Sequence, residues 1–217
     1  MPTFAAAILP RNVITRTRTI MNVKKNLGWI IPLAIVAVVA LWGIGGYNDL
    51  VSMDENVQGK WSNVETQYQR RADLIPNLVN TVKGYATHEK TTLEEVVKAR
   101  SEATSVRVDP ASATPEQMRE YQNAQSGVTA ALGRLLMVAE NYPDLKADEN
   151  FLELQAQLEG TENRITVARK DFNDAAQQYN VSIRRFPKSI IAAVCGFDKK
   201  MYFEAEAGAA SAPKVEF

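Results

Sequence analysis

Cysteine and histidine are almost missing from these 217 residues: Cys195 and His88 stand alone. One thiol closes no intrachain disulfide, and one thiol with one imidazole assembles neither a zinc site nor a paired-histidine centre. Glycine-rich phosphate loops, nucleophile elbows and paired catalytic acids are also missing. The sequence therefore reads as a non-enzyme, and no cofactor or metal is expected. Lys and Arg gather into no stripe of the kind that neutralises phosphates, which excludes nucleic acid as a partner. Between residues 49 and 185 no segment alternates polar with apolar positions as a strand does.

Charge is missing altogether from residues 26–48. This run of 23 residues, containing GWIIPLAIVAVVALWGIGGY, exceeds the roughly 20 apolar residues needed to cross a hydrocarbon core as a helix. Trp29, Trp42 and Tyr47 mark its ends as interfacial aromatics do. Ahead of Asp49 stand Arg11, Arg16, Arg18, Lys24 and Lys25 and no acid, leaving 20 basic against 25 acidic residues in the rest of the chain. By the positive-inside rule the N-terminus is expected in the cytoplasm and the larger domain outside, an inverted topology being the alternative. A cleaved secretory signal is the competing reading, with Gly43 and Gly45 as a weak cleavage site. The length of the run and the lack of a lipid-accepting Cys after it favour an uncleaved anchor. Met21 opens a second start, MNVKK, so the first 20 residues read as a flexible arm or as an unused upstream start.

Beyond the span the apolar spacing is helical. Val57, Trp61, Val64, Tyr68, Arg71, Ile75, Leu78, Val82 and Tyr85 recur at alternating steps of four and three, and only Arg71 breaks the stripe. A second series runs from Met118 to Tyr142 and a third from Phe151 to Tyr179. A shorter helix lies between the first two, with Thr91 and Glu94 expected as its capping box. Thr114, Pro115 and Gln117 predict the start of the next helix, Pro143 its stop, and Asp148 the cap of a last long helix over 148–185. Pro76, inside the first helix, predicts a bend near Ala72. The expected fold is all-α: one N-terminal transmembrane helix followed by an antiparallel up-and-down four-helix bundle. The expected divisions are a basic flexible leader (1–25), the span (26–48), the bundle (49–187), a C-terminal segment packed on it (188–205) and a disordered tail (206–217).

Three polar features compete with a purely structural reading. Arg70, Arg71 and Asp73 on the first helix and Glu162 and Arg169 on the last form one group. Arg71 falls on the core-facing stripe, so a buried ion pair with Glu162 is expected, with a ligand pocket inside the bundle as the alternative. His88 and Glu89 read as helix-terminal residues rather than a catalytic pair. Asn77, Asn80, Asn163, Asn173 and Asn180 are numerous for helix interiors; interhelix hydrogen bonds account for them, a partner-binding face being the other reading. Arg71, Asp73, Asn77, Glu162 and Arg169 are accordingly the candidate polar cluster or partner face.

Several ordered motifs then carry a likeness. QYQRRADLIPNLVNTVKGYATHE at 67–89, preceded by YNDLV and Trp61, is followed by YPDLKADENFLELQAQLEGTENRI, RKDFNDAAQQYN, and the pairs FP and GF at Phe186 and Gly196. Over residues 28–205 the chain resembles the LemA family of bacterial membrane proteins, with Phe172 where Tyr is expected and an unusual leader. The resemblance implies a single transmembrane helix followed by a four-helix bundle, placed in the bacterial inner membrane, and no enzymatic role. The expected function is a membrane-anchored scaffold or adaptor that holds an envelope or membrane protein. An extracytoplasmic ligand-sensing bundle working through a separate transducer is the alternative. The span has no small-xxx-small pair, so a homo-oligomer would form through exposed faces of the bundle.

Overall fold

The computed structural model describes residues 15–86 and 88–204, with side chains from Trp29 onward. Every regular element among them is a helix: α1 (Thr15–Tyr85), α2 (Lys90–Ser105), α3 (Pro115–Ala139), α4 (Pro143–Lys146), α5 (Glu149–Arg184) and α6 (Lys188–Cys195). Residues 15–25, expected as flexible leader, fall inside α1; neither Gly nor Pro stands between residues 11 and 27 to stop a helix growing back from the apolar run. The rest of the leader and the tail 206–217 lie outside the described residues.

The chain divides into two compact units at Asn48 and Asp49. In the first, the described side chains of the apolar run are almost all exposed, Trp29 by 84% and Leu33 and Leu41 by 71% each. The most apolar 18-residue window there has a mean hydropathy of 2.2, and α1 is the one helix among the described residues long and apolar enough to cross a membrane.

In the second unit, α1 and α5 run antiparallel, because pairs between them climb one helix while descending the other. Lys60 Nζ meets Asp171 at 3.0 Å, Arg71 meets Glu162 at 2.9 Å, and the Tyr85 hydroxyl donates to Asp148 at 2.8 Å. The predicted stripes supply the core, in two clusters. One holds Leu50, Val57, Trp61, Val64 and Tyr68 of α1 with Tyr121 of α3, Phe172 and Tyr179 of α5, and Phe203. The other holds Ile75, Leu78 and Val82 with Leu93 and Val96 of α2, Val128 and Leu135 of α3, and Phe151 and Leu158 of α5. At 16 residues α2 is too short to wall both. In the first cluster the fourth side is filled by residues after α6, chiefly Phe203, which stacks on Trp61 at 5.6 Å and meets Phe172 edge-on at 5.5 Å. Such aromatic pairs contribute about 0.5–1.5 kcal/mol each beyond area burial.

The helix starts follow local chemistry. The Thr114 side chain accepts from the Gln117 amide while Gln117 returns a bond to the Thr114 amide, and Asp148 accepts from the Phe151 amide at 2.9 Å. One expected start is corrected. The helix expected to begin at a Thr91–Glu94 capping box begins at Lys90, with Glu89 as N-cap and no side-chain cap bond. Glu94 is instead drawn to Lys90, one turn back, at 3.6 Å. The stop at Pro143 is also more elaborate than expected, since Pro143 opens the one-turn helix α4, whose Leu145 is fully buried.

Candidate functional site

Between the two apolar clusters lies a polar layer centred on Arg71, whose side chain is 3% exposed. Its position follows from the heptad-like stripe of α1, which carries it inward between Tyr68 and Ile75. The guanidinium is met from two other helices. Nη1 donates to Thr129 Oγ1 at 2.8 Å and to Glu162 at 2.9 Å; Nη2 donates to the Gln125 carbonyl at 3.0 Å and to its side-chain oxygen at 2.8 Å. The Gln125 amide donates onward to the Ala103 carbonyl of α2 at 3.3 Å. One cation thus ties α1, α3 and α5 directly and α2 through Gln125. Burying it without these acceptors would be very unfavourable.

One turn away, Pro76 lacks the amide hydrogen that would bond the Ala72 carbonyl. Arg100 Nε of α2 donates to that carbonyl at 2.7 Å, replacing the missing bond. A cleft of about 170 Å³ opens beside these groups, lined among others by Glu65, Arg71, Arg100, Arg107 and Tyr121. Burial, and then the nearby Tyr68 and Glu65, hold the Tyr121 hydroxyl well above the usual tyrosine range.

Of the candidate cluster, only Arg71 and Glu162 come together. Asp73 is exposed and accepts from Gln69 on its own helix at 2.7 Å, and Asn77 is exposed one turn further on. Arg169 belongs elsewhere: it lies 4.9 Å from the centre of the Phe203 ring and donates to the Glu204 carbonyl at 3.2 Å. His88 is exposed, and its neighbour Glu89 accepts from the Tyr142 hydroxyl at 2.9 Å. Among the described residues no three His, Cys, Asp or Glu side chains are placed to share a metal ion.

The helix asparagines split by partner. Asn173 and Asn180 reach not another helix but the extended segment 197–204, and each grips one residue by both backbone groups. Asn180 accepts from the Lys200 amide and donates to its carbonyl, both at 2.8 Å; Asn173 does the same to Phe203, both at 2.9 Å. Gln122 of α3 completes the series at Glu204, with bonds of 2.6 and 3.2 Å. Lys200 is buried and meets Asp54 at 2.7 Å. Sequence reasoning missed this clamp because the target is irregular. The spacing of Asn173 and Asn180, seven residues on one helix face, was the available signal.

The family model for the LemA family matches residues 60–217. Magnetosome protein MamQ 2 of Paramagnetospirillum magneticum is 30% identical over 189 residues, covering 79% of this chain and 69% of that one. Magnetosome protein MamQ of Magnetospirillum gryphiswaldense is 31% identical over 174 residues, 72% of this chain and 64% of its own length. Protein LemA of Metamycoplasma hominis is 25% identical over 149 residues, 69% of this chain and 64% of that one. None of these names is an enzyme's. The chain belongs to the LemA family.

Proposed function

We propose that this protein is a non-enzymatic helical scaffold or adaptor, anchored by one transmembrane helix over 26–48 in the bacterial inner membrane. The observation that carries the reading is the uncharged run whose large side chains, from Trp29 to Leu41, are exposed along a helix. Such a surface is unfavourable in water and favourable in hydrocarbon. Residues 49–187 form an up-and-down four-helix bundle of α1, α2, α3 and α5, with the C-terminal segment 188–205 packed on it. The excess of positive charge before the span puts the bundle on the extracytoplasmic side. Its exposed faces hold an envelope or membrane protein, or a second copy of the chain. The non-enzyme names of the family members that match support a structural role. Crosslinking in cells followed by identification of the attached proteins tests the scaffold role, and failure to recover a reproducible envelope partner would count against it. Reporters fused after Val106 test the orientation.

The Arg71 cleft favours a second reading, an extracytoplasmic bundle that senses a small anion through Arg71, Arg100 and Arg107. Inorganic phosphate or a small dicarboxylate would then raise the thermal midpoint of the full-length protein, and Arg107→Ala would abolish the rise. An unchanged midpoint removes this reading.

A further inference from the structure

We propose that α6 is a second membrane contact: a short interfacial helix that lies on the anionic bilayer surface. The inference rests on the reading of 26–48 as a membrane span. After Lys188 and Ser189, α6 consists of Ile190, Ile191, Ala192, Ala193, Val194 and Cys195, with no charge. A helix of that composition in a water-soluble domain turns its large side chains inward. Here only Ala192 is buried, while Ile190 is 56% exposed and Val194 81%. Phe186, just ahead of the helix, is 81% exposed. Within α6, Ile190 and Val194 stand four residues apart, a spacing that groups side chains on one side of a helix.

Position identifies the occupant. Lys188, the first residue of α6, is ion-paired with Asp49, and Asp49 follows the last residue of the span through a single peptide bond. Consecutive Cα atoms are about 3.8 Å apart, so the residue that pairs with the start of α6 is the one at which the chain leaves the span. Leu50, Ile183 and Ala192 share one core cluster, which ties the same end of the domain to α6 a second time. Charge agrees with position. Arg184, Arg185 and Lys199 are exposed on either side of α6, with Asp198 the one acid between Arg184 and Lys200. An apolar stripe flanked by cations is the pattern by which short helices seat roughly 5–10 Å into the headgroup region of anionic membranes.

Cys195, the single thiol, is exposed at the end of α6 and allows a direct test on the full-length chain. The protein is labelled there with an environment-sensitive fluorophore and reconstituted into phosphatidylglycerol–phosphatidylethanolamine vesicles with or without nitroxide-bearing lipids. In a Cys195→Ser background, Leu33→Cys places the label in the span and Asn141→Cys places it at the opposite end of the domain. The expected result is strong quenching at Leu33, none at Asn141, and a loss of emission on the order of twofold at Cys195, as a headgroup-depth probe would show. Ile190→Glu with Val194→Glu, both at exposed positions, should remove the Cys195 quenching and leave the helical circular dichroism unchanged. If the Cys195 label is as unquenched as the Asn141 label while the Leu33 label is quenched, α6 does not touch lipid and the span reading survives. Quenching at Cys195 that persists in the double variant also overturns the proposal. An unquenched Leu33 label overturns the span and, with it, the role of α6.

Discussion

Arg71 is the residue on which the domain turns. Its four hydrogen bonds are made to groups of α3 and α5, and Glu162 is the one carboxylate among them. Glu162→Ala leaves the buried cation with neutral acceptors only, and since Glu162 itself is 41% exposed the loss should be about 2 kcal/mol, the scale of a single charge-assisted hydrogen bond. The double variant Arg71→Met, Glu162→Ala should be less destabilised than Glu162→Ala alone, because removing both partners leaves no unpaired charge. Urea unfolding midpoints measure the difference, and a double variant worse than the single would contradict the account. Asp148 carries a second expectation. The Phe151 amide, and then the Tyr85 hydroxyl, hold its carboxyl below the ordinary value of 3.8. A depressed folded value means the unfolded chain binds more protons in that range, so Asp148 adds stability above pH 3.8 that is lost as pH falls through the folded value. Asp148→Asn should keep the cap and flatten the stability profile in that acid window.

At the scale of elements, boundaries encoded by neighbouring residues were legible and those decided by distant ones were not. The Thr114 box and the Asp148 cap need only residues three positions apart. The expected Thr91–Glu94 box did not form: α2 starts at Lys90, and Glu94 stands 3.6 Å from Lys90. Thr114→Ala should cost about 1 kcal/mol through loss of the cap, read as a shift of the thermal midpoint. The extended segment 197–204 is an element with no hydrogen-bond pattern of its own, held by three side-chain amides and by Phe203 among the aromatics. Asn173→Ala with Asn180→Ala removes both backbone grips. Amide hydrogens of residues 200–204 should then exchange orders of magnitude faster while those of α3 and α5 keep their protection. Equal loss of protection throughout would mean that the segment is integral to the folding unit rather than a strap upon it.

For the molecule as a whole, the cluster that holds Trp61 and Phe172 makes stability depend on its tyrosine hydroxyls staying protonated. Tyr121 and Tyr179 lie in the same cluster. Burial, and then Asp54 and Asp198, push the Tyr179 hydroxyl up to about 12, from 10.0. A raised value stabilises the protonated form, so the contribution is complete below pH 10.0 and is lost as pH rises towards 12. Alkaline unfolding should therefore begin in that window, and Tyr179→Phe should shift it to higher pH. Near-ultraviolet circular dichroism against pH measures it.

The sequence by itself determined what depends on composition and on spacing along the chain: an uncharged run long enough for a bilayer, three apolar stripes of helical period, and one arginine on a stripe that would otherwise bury cleanly. These are local quantities, set by side-chain transfer free energies and by the 3.6-residue turn. The Arg71–Glu162 pair was expected from the stripe, but tertiary structure alone decided that Thr129 and Gln125 join Glu162 around Arg71 and that Arg100 takes the carbonyl freed by Pro76. It also decided that Arg169, Asp73 and Asn77 part company with the site, and that the C-terminal segment fills the side of the core that α2 cannot reach. The Arg71 and Arg100 bonds and the packing of Phe203 join residues tens of positions apart. Such geometry exists only after the helices have docked, and no periodicity in the chain encodes it.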